Sequence, residues 1–105
     1  MELDEALREF RRELEELYGD RLKGVYLFGS HARGDAEPDS DVDVAVVLDD
    51  YQSPVREIRR MSEIGARLSL AVDRHISRIP LRETDWRQKN TIFMRNLRED
   101  AVIIA

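Results

Sequence analysis

Apolar residues recur every three or four positions near the start of the chain. Leu3, Leu7, Phe10, Leu14, Leu17 and Tyr18 form one stripe. That spacing predicts an amphipathic helix with one face on a core, ended by Gly19-Asp20. The pattern then changes. Val25-Tyr26-Leu27-Phe28 is a run of strand-forming residues that predicts a short buried strand. Gly29-Ser30 breaks it, and His31-Ala32-Arg33 reads as a short helix. Residues 34–41, GDAEPDSD, form a polar loop. From Val42 to Leu48 the period is two: Val42, Val44, Val46 and Leu48 share one face, and Asp41, Asp43, Ala45 and Val47 share the other. Ser53-Pro54 is a helix start, an N-cap followed by proline at the first helical position. Val55, Ile58, Met61, Gly65 and Leu68 continue that helix to about residue 68. Leu70 to Ile79 alternates and predicts a third strand, closed by Pro80. Thr84-Asp85 opens a last helix with Trp86, Phe93 and Leu97 on one side, and Ala101 to Ile104 supplies a final short strand.

The order is α, β, short α, β, α, β, α, β. It predicts an α/β (α+β) fold, a small mixed β-sheet with helices packed on it. The connection between the first two strands is about a dozen residues, which suits either a hairpin or a crossover, so strand direction stays open.

Composition narrows the class. The 105 residues make one domain's worth of chain, and 42% hydrophobic content is enough for a packed core. The longest strictly apolar runs, Val44–Leu48 and Ala101–Ala105, are far shorter than the roughly 20 residues of a bilayer span. The acidic, amphipathic N-terminus does not resemble a signal peptide. The absence of cysteine excludes disulfides, thiolate zinc sites and thiol nucleophiles, and it suits a cytoplasmic location. A net charge of −5 argues against direct nucleic-acid binding. The charge is uneven, with −9 in residues 1–50 and +4 in residues 51–105. The basic half is either a solvated face or a surface for an acidic partner or a triphosphate.

The chemistry concentrates in residues 25–48, VYLFGSHARGDAEPDSDVDVAVVL. Gly29 after a strand lets a backbone approach phosphate closely, and the following helix start offers free amides and a partial positive charge. The Ser30 hydroxyl adds a hydrogen bond. The same Gly-Ser pair also serves as an ordinary strand-to-helix turn. Asp41 and Asp43 sit on one face of an otherwise apolar strand. Two unit charges about 6 Å apart repel by roughly 3 kcal/mol at an effective dielectric near 20, a large fraction of the roughly 5–15 kcal/mol that holds such a domain folded. A hard divalent cation relieves this, because Mg²⁺ favours a few carboxylates together with substrate phosphate oxygens. Solvation at a loop–strand junction is the alternative. Asp73, between Val72 and Arg74 in the predicted third strand, joins the pair if that strand lies beside theirs. Otherwise it pairs with Arg74 or Arg78. His75, two residues on, shares that face.

Gly29-Ser30-x-Ala32-Arg33-Gly34, then Ser40-Asp41-x-Asp43, with Asp73 later, resembles the nucleotidyltransferase superfamily, and more narrowly the minimal nucleotidyltransferase (MNT) domains, which act as antitoxins beside HEPN-domain toxins. The tail from Phe93 to Ile104 is similar to that group as well. The resemblance implies a single minimal domain over residues 1–105. It implies nucleotide binding by Gly29, Ser30 and Arg33, with Arg33 either touching phosphate or supporting the loop. Asp41, Asp43 and Asp73 would be the metal-binding and catalytic carboxylates, Asp73 acting as base or second-metal ligand. Mg²⁺ is the implied cofactor and ATP the implied substrate. AMP would pass to a hydroxyl, a tyrosine, on a cognate HEPN toxin, within a homo- or hetero-oligomer. His31 occupies the motif's variable position, at the rim. Two other readings compete: a non-catalytic module that neutralises its partner by contact, and a transferase acting on a small molecule or an RNA end.

Overall fold

In the computed structural model, which describes residues 1–105, the first apolar stripe forms α1 (Leu3–Tyr18). Ala6, Leu7, Phe10, Leu14 and Tyr18 are buried along it. A 3₁₀ turn at Gly19–Arg21 leads into β1 (Leu22–Phe28), three residues longer than the apolar run suggests, and β1 ends directly in α2 (Gly29–Arg33). After the polar loop come β2 (Val42–Leu48), α3 (Pro54–Arg60), α4 (Ser62–Val72), β3 (Ile76–Arg82), α5 (Glu83–Gln88), α6 (Ile92–Asp100) and β4 (Val102–Ile103).

The four strands form one mixed sheet in the order β3-β2-β1-β4. β1 runs antiparallel to β2 and to β4, whereas β2 and β3 are parallel. The connection between β1 and β2 is therefore a wide hairpin that carries α2. The parallel β2–β3 pair needs a crossover, which α3 and α4 provide.

The period-two reading of β2 holds on both faces. Val42, Val44, Val46 and Leu48 join the larger core with α1, Met61, Leu68, Val25 and Ile76. Ala45 and Val47 join the smaller core with Phe28, Leu81, Met94 and Leu97. Trp86 of α5 stacks on Tyr26 with ring centroids 4.4 Å apart, so α5 and α6 cover this second face. No helix is long and apolar enough to cross a membrane.

Three expectations are corrected. The helix begun at Ser53-Pro54 is two helices, with the break at Met61. Ser53 caps α3 as expected, its hydroxyl accepting from the Arg56 amide at 3.3 Å. The last helix is also two, α5 and α6, with Thr91 capping α6 by accepting from the Met94 amide at 3.1 Å. Leu70 to Val72 is the last turn of α4 and not strand. The third strand starts at Ile76, with Pro80 inside it opposite Val46. β3 is an edge strand, where proline is tolerated, and the Pro80 carbonyl accepts from the Tyr51 hydroxyl at 3.0 Å.

Candidate active site

Strand direction brings the end of β1 and the starts of β2 and β3 to one edge of the sheet. Phe28 lies opposite Asp43 in the β1–β2 pair, so the Gly29-Ser30 turn opens directly beside the Asp-x-Asp strand. The contact is close. A methyl group on Gly29 would overlap the Asp43 Oδ2 and lie 3.2 Å from its Cγ, and Gly29 has φ +75°. Both the conformation and the neighbour require glycine. α2 closes at Gly34 in the left-handed region, where the Gly34 and Asp35 amides donate to the Ser30 carbonyl at 3.0 and 3.1 Å.

Asp41 is exposed at the mouth and Asp43 is half-buried. Burial, and then the neighbouring Asp41 charge, push the Asp43 carboxyl above its ordinary value. The surrounding His31, Arg33 and His75 act in the opposite sense. A half-buried carboxylate beside a second one is a place where a cation lowers the energy. The residues present therefore fit a hard divalent ion: two neighbouring carboxylates, one of them half-buried against the Gly29 turn. Asp41 and Asp43 would hold it.

The other expected site residues fall differently. Arg33 is engaged by acids, its Nη1 donating to Asp100 Oδ2 at 2.9 Å and its Nε to Asp35 Oδ2 at 3.3 Å. This arrangement ties α2 to the end of α6. His31 Nε2 lies 3.2 Å from the Ser40 carbonyl oxygen, linking α2 to the loop before Asp41. Asp73 is corrected in position. It is the exposed C-cap of α4 in the left-handed conformation (φ 52°, ψ 42°), three residues before β3. No three His, Asp or Glu side chains assemble into a group that could hold a metal ion, so Asp73 does not complete a cluster with Asp41 and Asp43. His75 also precedes β3. Its carbonyl accepts from the Val42 amide at 2.8 Å, which fixes the start of the parallel pair.

Sequence reasoning passed over two features. Ser77 is the β3 residue in register with Asp43, and only the strand pairing reveals it. A cleft of about 200 Å³ flanks the Gly29 turn, lined by Phe28, Arg33, Phe93, Asn96 and Asp100 among others. Phe93 packs edge-on against Phe28 at 6.4 Å while remaining half exposed.

Comparison with known proteins agrees with this geometry. The nucleotidyltransferase domain model matches residues 7–99. A relative from Methanocaldococcus jannaschii is 37% identical over 84 residues, covering 80% of this chain and 84% of that protein. The protein adenylyltransferase MntA of Thermococcus cleftensis is 39% identical over 72 residues, covering 69% and 71%. Two solved complexes share the fold at low identity. A toxin–antitoxin with AMP-PNP superposes with a TM-score of 0.64 at 20% identity, covering 93% of this chain and 72% of that one. The tri-AMPylated HEPN toxin of Shewanella oneidensis with its MNT antitoxin gives 0.59 at 18%, covering 98% and 72%. A glycine turn set against an Asp-x-Asp strand, in a chain matched along most of its length, places the protein: it belongs to the nucleotidyltransferase domain family.

Proposed function

We propose that this nucleotidyltransferase domain, residues 1–105 acting as one minimal unit, is a Mg²⁺-dependent protein adenylyltransferase and the antitoxin of a HEPN toxin. The observation that carries the proposal is the contact between the Gly29 turn and Asp43. It sets a phosphate-binding backbone against a pair of carboxylates. Two relations support it: the kinship with an MntA adenylyltransferase, and the shared fold with an MNT antitoxin seen beside a tri-AMPylated HEPN toxin.

In this reading Gly29 and Ser30 hold the triphosphate of ATP, and Asp41 and Asp43 hold the metal. Bound Mg²⁺ would offset charge on the phosphate oxygens. A tyrosine oxygen of the toxin attacks the α-phosphorus, the bond to the bridging oxygen of pyrophosphate breaks, and the tyrosine proton leaves to a base or to water. The product is an AMP–tyrosine ester. Such a reaction belongs in the cytoplasm, where the cysteine-free composition is also at home.

The test is incubation with labelled ATP and Mg²⁺, with and without the cognate HEPN protein, read by mass spectrometry. AMP added to a toxin tyrosine, and lost in Asp43→Asn, is the expected result. Undiminished transfer by Asp43→Asn refutes the assignment. One observation favours a second reading, neutralisation by contact alone: no third carboxylate gathers at the site. On that reading an Asp41/Asp43 double variant still protects cells and no AMP is transferred.

A further inference from the structure

We infer that Ser77, and not Asp73, is the residue β3 contributes to the site, and that the metal centre is built on two carboxylates with a hydroxyl where a third would stand. This inference rests on the proposed metal-dependent transferase. Partners in a parallel ladder project to the same side of the sheet, and Asp43 pairs with Ser77. The alternation confirms the side. Ala45 and Val47 follow Asp43 into the smaller core, and Ile79 and Leu81 follow Ser77 into it, whereas Ile76 lies in the larger core.

Asp73 cannot take that place by a change of side-chain rotamer. It is itself the left-handed C-cap of α4, and Arg74 and His75 separate it from β3. The intervening backbone is held by the Arg74 amide on the Ser69 carbonyl at 3.1 Å and by the Ile76 amide on the Ser69 hydroxyl at 2.9 Å. Asp73 instead lines an open groove with Ser69, Leu70, Arg74 and His75. The ion at Asp41 and Asp43 therefore meets two negative charges from the protein, and the rest of its oxygen ligands come from substrate and water.

The experiment is a Mn²⁺ titration of the full chain without nucleotide, followed by electron paramagnetic resonance, on wild type, Asp43→Asn, Asp73→Asn, Ser77→Asp and Ser77→Glu. Circular dichroism establishes that each variant is folded, and two acids at position 77 guard against one misfolding. Because ligand charge count sets divalent affinity, an acid at position 77 tightens Mn²⁺ binding by about tenfold. Asp43→Asn weakens binding, and Asp73→Asn leaves it unchanged. The inference is overturned if Asp73→Asn weakens Mn²⁺ binding as Asp43→Asn does, or if folded position-77 acids bind no tighter than wild type. Should Asp43→Asn itself leave binding intact, the metal site at Asp41 and Asp43 falls, and this inference with it.

Discussion

Substituting Gly29 by alanine separates backbone strain from damage to the site. Gly29 has φ +75° and Gly34 has φ +83°, so alanine at either position meets the same left-handed penalty, about 1–2 kcal/mol. For a domain of about 100 residues, 1 kcal/mol lowers Tm by roughly 4–8 °C. Both variants should therefore lose Tm by similar amounts in a thermal melt. Their surroundings differ. A Cβ on Gly34 has no atom within 4 Å, whereas a Cβ on Gly29 overlaps the Asp43 carboxylate. Asp43 must swing away, and a displacement of about 1 Å in a reacting constellation costs on the order of 10²-fold in rate. The expected outcome is two proteins of similar stability, of which only Gly29→Ala loses AMP transfer and Mn²⁺ affinity. Transfer by Gly29→Ala at the wild-type rate would refute the reasoning. So would an equal loss of transfer in Gly34→Ala, because the strain common to both would then be sufficient.

Other predictions concern single residues. The raised pKa of Asp43 means that its ionised form opposes folding without a metal. Asp43→Asn should melt higher than wild type at pH 7, and the difference should close as pH falls below the ordinary value of 3.8, where wild type also carries a neutral side chain there. A melt without divalent ions that ranks the two proteins the other way at pH 7 contradicts this. Tyr18 donates to the buried Glu57 at 2.9 Å, joining the end of α1 to α3. Tyr18→Phe leaves that carboxylate with only the Arg60 guanidinium at 3.8 Å and should cost about 1–3 kcal/mol in urea unfolding while leaving transfer intact. Asp73→Gly relieves a left-handed non-glycine cap and should raise stability by about 1 kcal/mol with no loss of activity. A catalytic Asp73 would instead abolish transfer.

Much of the site was legible because its signals are local. The period-two alternation of β2, with two carboxylates expected on one face, follows from strand geometry, and the tertiary structure buries the apolar residues of β2 in two cores as that alternation predicts. The Gly29-Ser30 turn is likewise a local break in an apolar run. Asp73 was misplaced because Leu70-Ala71-Val72 is a short apolar run, which strand and helix periodicities fit equally well. Burial resolves it. Leu68 packs into the core and Val72, one turn on, packs against it, while Leu70 stays exposed, as the period of a helix requires. Pro80 misled for a related reason: proline ends a strand only where its missing amide matters, and that depends on which strand lies at the edge.

By itself the sequence determined the class of fold, the family, the turn-and-carboxylate pair, and the face of β2 that carries chemistry. The family is legible as a resemblance of motif; the others are encoded within one element or a few adjacent residues, so steric preference and periodicity suffice for them. Only the tertiary structure decided strand direction and order, the approach of Gly29 to Asp43, the hold of Asp100 on Arg33, and the pairing of Asp43 with Ser77. These join residues far apart in the chain. They are set by which apolar faces bury one another, a choice made by the packed core as a whole.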